Sequence, residues 1–324
     1  MSRRSRVAGV VLVCVVGASL AAALVGIGGR ASGTKAVAAS AAPLPASAPA
    51  TSGPAPRPSV ATPARTPAPH PALLPTPQAT PVAKLPLRVE LWGDSISAQA
   101  APNIAFVLGE SRRVVTRLHT FGGSALCDWF SDMRNEMNPA NPDAFHPQVA
   151  VIQFSGDAFT PCMHDANGVA YSGQALVNEY AVDSGLVIAL FARAKIPVYF
   201  VSTPVTAGQA MQGYVGLMPI DAMFSTLPAR YPDGGIARYI DGASPLEWHG
   251  RYSATLPCLP WETCTGRWPD GTKTVVVRQA DGAHFCPVTE TVNADGSKTC
   301  PVFMPGAQRF ATAIAGPILR DFHL

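Results

Sequence analysis

Residues 1–86 of this 324-residue chain contain no aromatic side chain and no acidic one. With nothing large and rigid to bury, that stretch cannot build a core. The rest of the chain lacks a basic surplus. Eight of the 24 Lys and Arg residues (Arg3, Arg4, Arg6, Arg30, Lys35, Arg57, Arg65 and Lys84) fall in the first 86, leaving 16 against all 21 Asp and Glu in residues 87–324. A body with that acidic excess lacks the electrostatic footprint of phosphate binding, so no nucleic-acid partner is expected. There is no C-x-x-C pair, no histidine at a matching zinc spacing, no G-x-G-x-x-G and no Walker loop. Neither a metal nor a nucleotide cofactor is therefore expected.

At the amino terminus, Arg3, Arg4 and Arg6 precede an uncharged run from Val7 to Gly29, 23 residues long. As a helix it spans about 35 Å, against about 30 Å of bilayer hydrocarbon. That length suits a membrane anchor, whereas Ala36-Val37-Ala38 reads as a cleavage site of a signal peptide. Both readings of residues 1–30 put the body outside the cytoplasm, because the leading arginines stay inside. Cys14 follows the β-branched Val13 and reads as an apolar residue, not a lipidation site. Residues 31–86 repeat Pro, Ala, Ser and Thr without hydrophobic periodicity and read as a disordered linker, with a reach of at most ~170 Å as polyproline II. Six further cysteines, Cys127, Cys162, Cys258, Cys264, Cys286 and Cys300, suit disulfides in an exported domain. Of the 15 connectivities, pairing neighbouring segments favours 127–162, 258–264 and 286–300.

Residues 87–324 read as one α/β domain. Val89–Trp92, Val114–Thr116, Val149–Phe154, Ile196–Val201 and Ile236–Ile240 are short apolar strands, with a helix over Tyr180–Ala194. Phe310–Leu319 reads as a closing helix interrupted by Pro317. Strands separated by helices predict a parallel sheet covered on both faces. Ligands of such sheets bind at the carboxyl ends of the strands. Gly93-Asp94-Ser95-Ile96-Ser97, Gly122-Gly123-Ser124 and Ser155-Gly156-Asp157 fall there, and Asp281-Gly282-Ala283-His284 follows the strand-like Thr274–Arg278. A serine on a strand-to-helix turn needs a base, and a histidine oriented by a carboxylate supplies one. His119, His146, His164 and His249 read as surface or structural. Trp261, Trp268 and Tyr252, in a loop-rich insertion over 244–273, suit either packing of a stapled loop or stacking on sugar rings.

Gly93-Asp94-Ser95-Ile96 at the first body strand and Asp281-x-x-His284 near the end resemble the first and last blocks of the SGNH (GDSL-type) hydrolase family. The resemblance covers most of residues 87–324, loosely in the middle. It implies a single three-layer domain with a central parallel sheet flanked by helices. It also implies a serine esterase acting through an acyl-enzyme. Carried over by position, Ser95 is the nucleophile, with Asp281 and His284 completing a triad. The oxyanion hole takes the N–H of Ser95, that of Gly123 or else Gly122, and a third donor at Asp157. Here the sequence departs from the family, which has asparagine at this block. An ionised aspartate only accepts hydrogen bonds, so Asp157 serves if protonated, or else the Gly156 N–H takes its place. On this map a 127–162 bridge ties the two oxyanion loops, and 286–300 restrains the histidine loop. The implied partner is an ester substrate, with an acylated envelope glycan suggested by the tether and spacer. The alternatives are an O-acyltransferase of the same family and a non-catalytic glycan- or protein-binding domain on the same fold.

Overall fold

The computed structural model describes residues 85–286, 291–292, 298–299 and 303–324. The anchor or signal read over 1–30, and all but the last two residues of the linker read over 31–86, lie outside the described residues.

Five parallel strands form the main sheet: β1 (Leu87–Gly93), β2 (Val114–Thr120), β3 (Val149–Gln153), β4 (Val198–Val201) and β5 (Ala237–Ile240). Their order is β2-β1-β3-β4-β5, with Leu91 in register with Leu118 on one side and Val151 on the other. Strand order reverses beside β1, and in open parallel sheets ligands bind at such a reversal, here outside the carboxyl ends of β1 and β3. Both faces are buried, and successive side chains feed opposite cores. Val89, Leu91, Val149, Val151, Tyr199 and Val201 face one way. Trp92, Ala150, Ile152, Val198 and Phe200 face the other.

The first core is covered by α1 (Ser95–Gly109) and by α6 (Pro305–Asp321), the last of six α-helices among the described residues. In α1, Ile96, Ala100, Ile104, Val107 and Leu108 recur at helical spacing and are buried. The second core is covered by α3 (Gly173–Ala192) and α5 (Pro219–Arg230), with α2 (Phe130–Glu136) and α4 (Ala207–Met211) as short pieces of the connections. By length and composition α3 is the one helix among the described residues able to cross a membrane. Its Tyr180, Val187, Ile188 and Phe191 pack into the core instead.

Two expectations are corrected. Pro317 does not interrupt the closing helix, which runs on to Asp321. The burial of Phe310, Ala311, Ile314, Ala315 and Ile318 along one face outweighs one missing hydrogen bond. The strand before Asp281 also lies outside the main sheet. After the hairpin of β6 (Glu247–Trp248) and β7 (Arg251–Tyr252), strands β8 (Thr255–Pro257), β9 (Gly266–Arg267) and β10 (Lys273–Val276) form an antiparallel sheet of their own, ordered β8-β10-β9. A last pair, β11 (Thr291–Val292) and β12 (Lys298–Thr299), precedes α6. The region read as loop-rich over 244–273 thus carries its own small sheets. It is fastened to α6 where Glu262 grips the buried Arg309 at 2.6 and 2.7 Å.

Candidate active site

The site is assembled from four loops. The first is the turn from β1 into α1. Asp94 is extended and caps α1, its Oδ1 accepting from the Ile96 N–H at 2.9 Å. Ser95 is the first helical residue, so its hydroxyl stands at the positive end of a 15-residue helix. Gly93 before it has no room for a side chain, since an added Cβ would lie 2.6 Å from the Ser97 Cβ and 2.9 Å from the Gln153 carbonyl oxygen. The G-D-S sequence is thereby explained letter by letter: close approach, cap, and a half-buried hydroxyl at the helix start.

The fourth loop brings Asp281 and His284. The Asp281 Oδ1 accepts from the N–H groups of Ala283 and His284 at 2.9 and 3.0 Å, winding one tight turn. Its Oδ2 then meets His284 Nδ1 at 2.7 Å, and His284 Nε2 meets Ser95 Oγ at 2.8 Å. Burial pushes the Asp281 carboxyl up, but the bonds from His284 and Ala283 outweigh it and hold it below the usual range. It therefore stays an acceptor for the imidazole. The three residues, 189 positions apart at the extremes, form one continuous hydrogen-bonded chain.

The second and third loops flank Ser95. Gly122 lies against it: a Cβ there would stand 3.5 Å from the Ser95 Cβ. Gly123 follows with φ of +80° and the exposed ring of Phe159 beside it. Asp157 follows Gly156 in the loop after β3, and Tyr180 Oη donates to its main-chain carbonyl at 3.0 Å. Burial foremost, then the nearby Asp94, push the Asp157 carboxyl up to about 6, against the opposing pull of His284. The two loops are joined by a disulfide between Cys127 and Cys162, and a second bridge joins Cys258 and Cys264. Cys286 is disulfide-bonded, while Cys300, and with it the 286–300 pairing, lies outside the described residues.

Several residues that support the site were not legible in the sequence. The buried Asp94 Oδ2 accepts from the Ser155 hydroxyl at 2.6 Å and from its N–H, tying β1's turn to the loop after β3. Burial lifts the Asp94 carboxyl, with these bonds opposing. Gln153 accepts from the Ser97 N–H and hydroxyl at 3.0 and 2.5 Å and donates to Thr203. Gln99 in α1 accepts from the N–H groups of Phe285 and Cys286 at 2.7 and 3.0 Å, seating the histidine loop on the nucleophile's helix. These are glutamines and serines in ordinary contexts, and only long-range folding gives them a task. His119 lies between Glu90 at 2.7 Å and Asp132 at 3.1 Å, stacked on Trp92. Trp268 bonds to Thr255 and packs edge-on against Trp248, whereas Trp261 is exposed.

No family model and no curated protein matches the chain. Solved structures do. A protein described as a candidate SGNH hydrolase from Slackia heliotrinireducens is 14% identical, with 72% of this chain and 99% of that one covered and a TM-score of 0.38. An α/β hydrolase from the metagenome of Lake Arreo is 12% identical (72% and 94% covered, TM-score 0.40). An acetyl xylan esterase from Geobacillus stearothermophilus is 11% identical (74% and 96% covered, TM-score 0.38). Identities and scores this low leave the function to be argued from the chain's own residues.

Proposed function

We propose that residues 87–324 form a serine ester hydrolase of the SGNH type, working through an acyl-enzyme on Ser95. The observation that carries this is the unbroken chain Asp281–His284–Ser95, with links of 2.7 and 2.8 Å. His284 Nε2 takes the hydroxyl proton as Ser95 Oγ attacks the ester carbonyl, and Asp281 holds the Nδ1–H and balances the imidazolium. The oxyanion so formed faces the start of α1, where the Ser95 N–H donates, with Gly123 as the second donor. His284 returns its proton to the leaving alcohol as the C–O bond breaks. Water, deprotonated by the same imidazole, then releases the acid and restores Ser95.

Two disulfides favour an oxidising, extracytoplasmic compartment, and we assign an ester of an extracellular carbohydrate as substrate. The exposed rings of Phe121 and Phe159, at the Gly122–Gly123 loop, offer flat apolar faces beside the nucleophile. The test is hydrolysis of p-nitrophenyl acetate and of acetylated glycans by purified protein. Ser95→Ala abolishes both, and His284→Ala removes nearly all turnover. Asp281→Asn lowers it by up to ~10⁴-fold by releasing the imidazole from its tautomer. Unchanged hydrolysis by Ser95→Ala would refute the assignment. Absence of turnover in the wild type, with glycan binding retained in Ser95→Ala, would turn the reading to a binding module.

A further inference from the structure

Just upstream of the Asp281–His284 turn lies Arg278, a side chain that no motif contains. It is only 1% exposed. Its Nη1 donates to the Ala283 carbonyl at 3.0 Å, and its guanidinium lies 5.0 Å from the centre of the Phe285 ring. Its Nε and Nη2 have no hydrogen-bond partner among the described residues. A buried cation with two unused donors is costly, and a fold keeps one where its charge or geometry is needed. Ala283 is one of the two residues between the paired members of the turn: its N–H binds Asp281 Oδ1 while its carbonyl binds Arg278.

The titratable groups facing Arg278 are Glu247 from β6, Tyr252 from β7 and Asp281 itself. Burial lowers its pKa to about 10, with those groups opposing, so it remains a cation at neutral pH. Glu247 does not neutralise it by direct contact: its Oε1 accepts from the Val205 N–H at 2.8 Å. The turn is packed tightly on its other side as well. A Cβ on Gly282 would lie 2.3 Å from the Ala207 Cβ, and the Ala207 N–H donates to the Gly282 carbonyl at 2.8 Å.

We propose that Arg278 is the positioning residue of this site. It pins the Ala283 carbonyl from inside the protein, so that the turn presents Asp281 and His284 to Ser95 at hydrogen-bonding distance. It also places a fixed positive charge behind the Asp281 carboxylate. The proposal rests on the esterase reading for its activity readout and has a second readout that does not.

The test replaces Arg278 by Met, which keeps the apolar stem, and by Lys, which keeps the charge and one flexible donor. Loosening of the turn costs kcat at unchanged KM, because substrate binding does not use the triad's alignment. The expected loss is ~100-fold for Arg278→Met. It is ~10-fold for Arg278→Lys, which lacks the rigid planar fork. Fluorophosphonate labelling of Ser95 slows in parallel. In proton NMR, the low-field signal of the His284 Nδ1–H bonded to Asp281 broadens or is lost in Arg278→Met and persists, weakened, in Arg278→Lys. If Arg278→Met does not fold, Arg278→Lys decides by the same two readouts. Wild-type kcat and an unchanged low-field signal in a folded variant would overturn the proposal, as would a loss expressed in KM alone. Should the wild type hydrolyse no ester, the functional reading fails by itself, and the NMR signal still tests what Arg278 does.

Discussion

At Asp157 the chain places an acid where the family it resembles has an amide. Its carboxyl is pushed up to about 6, by burial first and Asp94 second. Below that pH the group is neutral and carries an O–H to donate; above it, in the proposed oxyanion hole, an anion would face the developing oxyanion. An asparagine donates at every pH. The ratio of kcat for Asp157→Asn to kcat for wild type therefore rises with pH through about 6, by up to ~100-fold, with KM little changed. Measuring kcat against pH for both proteins checks this, and a ratio independent of pH would remove Asp157 from the oxyanion hole. Stability moves by the same linkage. A carboxyl raised above its ordinary 3.8 holds its proton more tightly in the folded chain than in the unfolded one. Wild-type stability then falls as pH rises through that window, and the penalty is complete above about 6. Asp157→Asn should melt higher than wild type at pH 7, with the gap closing towards pH 4. At this scale Ser95, Asp281 and His284 could be read from short motifs because local turns write them: cap, nucleophile, and an acid three residues before its base. Arg278, Gln99 and Gln153 could not, because their partners are set by tertiary packing.

Among the elements, the loops after β2 and β3 carry the proposed oxyanion donors and are joined by the bridge between Cys127 and Cys162, 35 residues apart in sequence. Closing a loop of that length stabilises the fold by ~3–4 kcal/mol in the chain-entropy account. The double variant Cys127→Ser/Cys162→Ser should therefore melt lower by several degrees. It should also lose kcat by more than the stability loss explains at 25 °C, since the oxyanion loops are freed. Full activity in the folded double variant would make the bridge purely structural. The start of α6 offers a second case. A Cβ at Gly306 would lie 2.1 Å from the Val277 carbonyl oxygen and 2.9 Å from the Phe285 ring. Gly306→Ala must push α6 away from the segment leading to His284, lowering both the melting temperature and kcat. Calorimetry with p-nitrophenyl acetate assays checks it. Four strands of the main sheet were legible as short, largely apolar runs between turn residues, whereas edge strand β2 was read only over Val114–Thr116, because Arg117, His119 and Thr120 make its second half polar. The placement of β10 was not, because the three valines Val275–Val277 do not say which sheet they join. The persistence of α6 through Pro317 was likewise hidden, since the burial that offsets the proline belongs to the tertiary structure.

For the molecule as a whole, the cysteines connect chemistry with compartment. Peptide mapping of the protein isolated from its native host without reductant should recover the 127–162 and 258–264 pairs, with no free thiol at those four positions. Free thiols there would remove the support for an oxidising compartment. The architecture was legible from alternation of strand and helix, and the candidate site from motifs at strand ends, because strand order reverses beside β1, where Ser95 begins its helix. Everything functional in this account depends on one claim, that Ser95 is a nucleophile activated by His284. The most direct measurement is reaction of the purified protein with a fluorophosphonate, followed by mass spectrometry of the labelled peptide. One adduct per chain, located on Ser95, slowed severely in His284→Ala and absent from Ser95→Ala, is the predicted result. A folded wild-type protein that takes no label, or one labelled equally well after Ser95→Ala, would contradict it.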